Sequence, residues 1–359
     1  MSRTHSALPW LGLLVTAVFS YLAVRHVEWA EAWDAFRASN AAWLLPAFAV
    51  LVLAVLVRAI RWRFLFRPET RPPLPAVARA LLIGYFFNNV LPARAGEAAR
   101  VLALNRSSGN SRAELAATVV VERIFDVASL VALLFVTSPW LPSVSWARGA
   151  AVVGGVLVAA SIGIIVGVAI WGERPFRLLL RPLAFLPFVG EERLGRAALN
   201  LIGGLAAIRR PKLAATAALW TTLSWLALGL SSWFVLLAFH LRLSPLAGLL
   251  TVIAINLALV LPSSPAAVGV FEAATLVALS AYGVATSNAL PAALVLHLLN
   301  LVPYLAAGAI VLHGAGRQPG RPLEREAAGQ SSDHERWAEP REHAPRVAES
   351  NRPPRHGGQ

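Results

Sequence analysis

Apolar runs of bilayer-spanning length recur through this chain from Leu8 to Leu312, separated by short polar or arginine-bearing segments. Such runs decide the fold class before any finer motif, because only helices or closed barrels satisfy backbone groups in hydrocarbon. They are blocks rather than alternating ten-residue segments, which argues against a barrel. The expected architecture is all-α: a polytopic helical membrane protein with about 6 to 8 spanning helices plus one or two re-entrant hairpins.

Composition narrows the functional classes. The chain is 57% hydrophobic and only 14% charged, and carries a formal charge of +13. That charge does not point to nucleic acid, because the basic residues sit in loops between apolar runs, where they act as topology signals. No cysteine is present, which excludes disulfides, thiol chemistry and cysteine metal sites.

Loop charges order the topology. The run Leu8–Val24 follows Arg3 and His5; a signal peptide is the rival reading, but an uncleaved first span fits its length better. Residues 25–40 carry a net charge of −1, with Trp29, Trp33 and, just beyond them, Trp43 as interfacial aromatics. A second span is read over Ala41–Val57, and residues 58–79 then hold six arginines against one glutamate. Residues 93–114 hold four arginines against two glutamates, so both flanks of the intervening stretch read as cytoplasmic. Its apolar part is too short to span, so the stretch Gly84–Arg100 reads as re-entrant. Further spans are read at Leu115–Val136, Ala150–Trp171, Leu213–Phe239 and Ala289–Leu312. The connection 172–212 has a net charge of +5 and suits amphipathic helices lying along the inner surface. Between Leu246 and Ala281 the PSSP break leaves two short spans and a second hairpin equally open. Residues 1–313 thus form the membrane domain, and residues 314–359, rich in Arg, Glu, Pro and Gly, read as a disordered cytoplasmic tail. Both ends fall inside the cell, in the plasma (inner) membrane.

Three places carry chemistry. Within Leu115–Val136, Glu122, Asp126 and Ser129 share one helical face, and Arg123 stands three residues before Asp126. Thirteen Leu, Ile, Val and Phe residues there favour insertion by about 4 to 8 kcal/mol, while three central charges cost about 7 to 10 kcal/mol. These groups must therefore face protein or water, either as an internal salt bridge that fixes packing or as a polar site at membrane depth.

In the first hairpin, Asn88 and Asn89 precede a break at Leu91-Pro92, because proline removes a donor and forces the preceding residue out of helical geometry. Gly96 allows close backbone approach or positive φ. Glu97 begins the next helix, where the dipole favours an acid, and Arg94 and Arg100 flank it as candidates to seat an anion. The alternative is an ordinary arginine-bearing loop.

A second break echoes the first: Asn256, Leu261-Pro262, Ser263, Ser264, then Gly269 and Glu272 at the start of another apolar helix. Paired interrupted segments point to a transporter site and leave an inverted repeat open. His297 and Asn300, three apart in the last span, are placed to share the Glu272 site. Neither a Walker loop, HExxH nor GxSxG occurs, so no catalytic residue, cofactor or metal is expected; a membrane-embedded enzyme or accessory subunit of lipid or glycan synthesis, and a scaffold whose charges only lock helices, stay open as alternatives.

Together NNVLPARAGEAAR, VERIFD and PSSPAAVGVFEAATL resemble the transmembrane domain of lysylphosphatidylglycerol synthases, also found alone as flippase-like (UPF0104) membrane proteins. The resemblance covers residues 8–312. It implies re-entrant elements and movement of lipids between leaflets, with bilayer headgroups as partners and a lipid synthase or glycosyltransferase nearby. The aminoacyl transferase domain of bifunctional members is not implied by the short tail. One departure is visible: where the family has Pro-Gly-Gly, this chain has Pro265-Ala266-Ala267.

Overall fold

The computed structural model describes residues 17–25, 27–66, 68–91, 95–142, 211–259 and 265–316, with a few isolated positions between 149 and 163. The start of the first span, the span read over 150–171, the surface connection 172–210 and residues 317–359 lie outside the described residues. Every regular element among those described is helical.

After a helical stretch at 17–24, α1 (Trp29–Arg37) precedes a long helix α2 (Leu44–Phe64). Next come α3 (Leu74–Val90) and α4 (Gly96–Ser108), packed side by side, and then α5 (Arg112–Thr137). A second series begins with α6 (Pro211–Ala238), continues with the adjoining short helices α7 (Pro245–Ala258) and α8 (Val270–Ser280), and ends with α9 (Thr286–Gly316). The segments Ala41–Phe64, Lys212–Ala238 and Thr286–Gly314 are long and apolar enough to cross a membrane. With 26 residues, α5 is long enough as well, though it carries charge at its centre.

One order of elements thus occurs twice: a long helix, two short helices, and a long helix. With 14 and 11 residues, α7 and α8 extend only about 21 and 17 Å, short of a hydrocarbon core of about 30 Å. Two short spans are therefore disfavoured over Leu246–Ala281, and a second hairpin fits. Helix α2 is the element whose boundary differs most from expectation. It runs seven residues beyond Val57, so Arg58 and Arg61 belong to the spanning helix and not to a following loop.

Local chemistry explains the breaks. Leu91 is extended (φ −106°, ψ 146°), the conformation that a following proline demands. α5 starts where the Ser111 hydroxyl accepts from the Glu114 backbone N–H at 3.1 Å. Gly96 serves close approach: a Cβ there would lie 2.0 Å from the Gly84 carbonyl oxygen and 2.5 Å from Asn88 Oδ1. The two halves of the first hairpin therefore touch backbone to backbone. The second hairpin turns differently, with Ala266 (φ 59°), Ala267 (φ 56°) and Gly269 (φ 80°) all in the left-handed region. The alanines replace the family's glycines without abolishing the turn, at a steric cost of about 1–2 kcal/mol each.

Packing centres on α2 against α6. The Ser231 hydroxyl donates to the Ala47 carbonyl at 2.7 Å, and the Asn40 N–H donates to the Ala238 carbonyl at 2.8 Å. One apolar cluster around Trp62, Phe66, Leu81 and Leu115 fixes the first hairpin against α2 and α5. Another, around Leu236, Phe271, Leu279 and Leu296, fixes the second. The turn Pro265–Ala267 packs against α3, so the two hairpins meet. Trp29 and Trp140 remain exposed at the ends of helical segments and Trp33 on the short helix α1, as interfacial residues do.

Two stability changes follow. Gly96→Ala must push the hairpin halves apart and is expected to destabilise the protein by about 1–3 kcal/mol. Ala266→Gly is expected to stabilise by about 1 kcal/mol through relief of the left-handed strain. Thermal unfolding of the detergent-solubilised protein checks both, and their opposite signs separate them from general mutational damage.

Candidate functional site

Six charged side chains from three helices meet in one network. Arg61 on α2 is 1% exposed; its Nη2 lies 2.7 Å from Glu122 and its Nη1 2.5 Å from Asp126, both on α5. The same Nη1 donates to the Thr221 hydroxyl on α6 at 3.3 Å. Arg100 on α4 donates to both oxygens of Glu122 at 3.1 Å and pairs with Glu97 at 2.5 Å, with its guanidinium 4.8 Å above the Trp62 ring. Arg123 pairs with Glu97, and with Asp126 at 3.5 Å. Three guanidiniums face three carboxylates, and the cluster is neutral.

The face Glu122–Asp126–Ser129 read from the sequence is buried as one face of α5, as its helical spacing required. Glu97 stands in the first turn of α4 and joins the hairpin directly to α5. Arg100 is already matched by two carboxylates. Arg123 differs from its neighbours, since 44% of its side chain is exposed.

A fourth guanidinium lies beside this neutral cluster. Arg58, one turn before Arg61 on α2, sits 4.8 Å over the Trp225 ring, and its Nη1 donates to the Tyr85 hydroxyl at 3.4 Å. Tyr85 stacks on Tyr304 of α9 with ring centroids 4.6 Å apart. Among the described residues no carboxylate lies within 4 Å of Arg58, and its Nε is buried without a partner.

The second hairpin has its own polar centre. Glu272, 6% exposed, accepts from the Gly269 N–H at 2.7 Å and lies 2.6 Å from His297 Nδ1. His297 Nε2 reaches the Ala266 carbonyl oxygen at 2.8 Å, and its ring stacks on Phe271 at 4.4 Å. The expected meeting of Glu272 with His297 is thus present. Asn300 does not join it: its amide donates to Leu296 of its own helix at 2.9 Å. Asn89 and Asn256 likewise donate to their own helices at Tyr85 and Val252. Asn88 Oδ1 is buried without a partner, pressed against Gly96. Arg94, Ser263 and Ser264 lie outside the described residues. Among those described, no three His, Cys, Asp or Glu side chains converge to hold a metal.

Sequence reasoning missed Arg58, Arg61, Thr221, Tyr85 and Tyr304. A charge count on α5 was the usable signal. Glu122 and Asp126 outnumber Arg123, so a further cation had to come from another helix, and Arg61 ends the nearest long apolar run.

These features define a class: an integral membrane protein with paired interrupted hairpins and a charged network at membrane depth. The family described as "Lysylphosphatidylglycerol synthase TM region" matches residues 10–308, and the chain belongs to it. It is similar to the UPF0104 membrane protein MJ1078 of Methanocaldococcus jannaschii, 27% identical over 64% of this chain and 92% of that protein. It is also similar to the UPF0104 membrane protein PH1989 of Pyrococcus horikoshii, 33% identical over 25% of this chain and 28% of that protein.

Removing one member of a buried ion network leaves its partners uncompensated. Arg61→Met is therefore expected to destabilise by about 3–5 kcal/mol. Adding Glu122→Gln and Asp126→Asn to it should recover part of that loss, a non-additivity measurable by unfolding of the purified variants.

Proposed function

We propose that this protein moves an anionic lipid, either a phospholipid or a polyprenyl-linked lipid, between the leaflets of the plasma membrane. The observation that carries the reading is the division of labour among the arginines. Arg61 and Arg100 are held by carboxylates inside a neutral network, whereas Arg58 carries charge with no carboxylate beside it. A guanidinium that feels Asp126 only at a distance, with no carboxylate in contact among the described residues, is suited to a phosphate, which it meets with paired donors. Trp225 and Tyr85 hold it in place from two sides. Arg123, half exposed at the rim of the network, provides a second contact.

In this reading Glu97, Glu122 and Asp126 orient the arginines and do not touch the lipid. The headgroup passes along the polar surface between the hairpins while its acyl chains stay in the bilayer. Loop charges support both termini on the cytoplasmic side. They also support entry of the first hairpin from that side and of the second from the opposite one, which makes the two series an inverted repeat. A lipid synthase or glycosyltransferase is the expected partner, as supplier or consumer of the lipid.

Proteoliposomes holding a fluorescent-headgroup phosphatidylglycerol, scored by chemical quenching of the outer leaflet, test the proposal. Wild type should equilibrate the leaflets faster than empty liposomes. Loss of one charge-assisted contact should slow Arg58→Gln by about 10- to 100-fold without lowering thermal stability. Equal rates for Arg58→Gln and wild type would remove Arg58 from the path.

A further inference from the structure

Hydrogen-bond chemistry at His297 fixes a proton count. A carbonyl oxygen only accepts, so the nitrogen 2.8 Å from the Ala266 oxygen, Nε2, must carry a hydrogen. The other ring nitrogen lies 2.6 Å from Glu272 Oε1, a distance that also demands a hydrogen between the two heavy atoms. Either imidazolium faces carboxylate or neutral imidazole accepts from carboxylic acid; both arrangements hold one proton. Were it lost, two lone pairs would oppose each other at 2.6 Å, and the contact would fail.

This proton supports a strained backbone. The Ala266 carbonyl that His297 holds belongs to a residue at φ 59°, followed by Ala267 at φ 56°. Glu272 holds the other end of the same turn through the Gly269 N–H. The turn in turn packs against α3, which carries Tyr85, the partner of Arg58.

We propose that Glu272 and His297 form a proton-binding site whose single shared proton keeps the turn at 265–269 in its left-handed form. Loss of that proton to water leaves one ring hydrogen for two acceptors, so His297 gives up either Glu272 or, with the hydrogen moved to Nδ1, the Ala266 carbonyl, and the turn loses one of its two holds. Movement of the turn then alters its seat on α3, so proton release and lipid movement are linked. The linkage rests on the transport reading above, whereas the proton site does not.

Among the described residues of the turn and of α3, α7, α8 and α9, no other charged group contacts the site. Glu272 is the only titratable residue of α8, and α7 and the turn have none. The remaining titratable groups of α3 and α9 are Arg79, Tyr85, Tyr304 and His313. Tyr85 and Tyr304 stack on each other, with Tyr85 bonded to Arg58, and Arg79 bonds the Pro75 carbonyl.

Nitrogen NMR of histidine-labelled protein in nanodiscs reads the site directly, with His297→Gln assigning the signal. Wild type should show a protonated Nε2 and a strongly deshielded proton shared at Nδ1. Glu272→Gln, whose amide donates to Nδ1 permanently, should show a neutral, pH-independent ring. A wild-type Nδ1 without a proton at neutral pH would overturn the site. In proteoliposomes, a gradient of one pH unit should shift the leaflet ratio of the lipid up to about tenfold for one coupled proton. A normal NMR signature with a leaflet ratio indifferent to the gradient would overturn the linkage alone. Absence of any lipid movement by wild type would instead sink the transport reading, leaving the NMR result to decide the proton site.

Discussion

The guanidinium of Arg61 is the contact on which the rest of the membrane domain depends. α5 cannot favour lipid by itself, because its apolar residues are outweighed by Glu122, Arg123 and Asp126 at its centre. Arg61 reaches both acids from α2 and the Thr221 hydroxyl of α6, so three long helices share one cation. Arg100 adds α4 through Glu122, and Arg123 ties Glu97 back to α5. In a medium without water each charge needs a partner of opposite sign or a donor of its own. Helices joined this way cannot slide past one another without exposing an ion. The network therefore sets the register of the first hairpin, which has few other polar anchors.

How much of this was legible in the sequence follows from the reach of each interaction. The first break was legible because proline acts on its neighbour: Leu91 is extended as Pro92 dictates. The shared face of Glu122, Asp126 and Ser129 was legible because helical spacing is local. The partners of those residues were not, since Arg61 lies about sixty positions away and its neighbours mimic a topology signal. Arginines at the end of an apolar run serve orientation or pairing equally well in the sequence alone. Gly96 was foreseen as special, and only the approach of Gly84 decides that closeness, not a left-handed backbone, is the reason. Glu272 and His297 were foreseen to meet, because α8 and α9 are neighbours in the chain with a short connection.

The two series of helices share an order and differ in chemistry. The first hairpin leaves helical geometry at Leu91 and is held by ion pairs whose guanidiniums stay charged. Its backbone halves touch through glycine, which fixes their separation. The second turns through two alanines in left-handed geometry and is held by a histidine and a glutamate, the side chains most ready to exchange a proton. With the proton site proposed above, a charge-locked half would stand beside a proton-responsive one. Contact between the turn Pro265–Ala267 and α3 is where the two meet.

Electrostatics also explains why a neutral network should stand beside a lone cation. A phosphate carried alone into hydrocarbon loses its hydration, and no neutral site can replace that with charge. A site made only of unpaired arginines would bind the phosphate too firmly to release it and would itself cost much desolvation. Three matched pairs with Arg58 added give a local charge of one positive unit, which a single phosphate monoanion brings to zero. The cation–π contact with Trp225 lowers the cost of keeping Arg58 there when no anion is bound, without neutralising it. In the proposed transport reading, this single unit of positive charge would draw a headgroup from the interface without the hold that several unpaired arginines would exert.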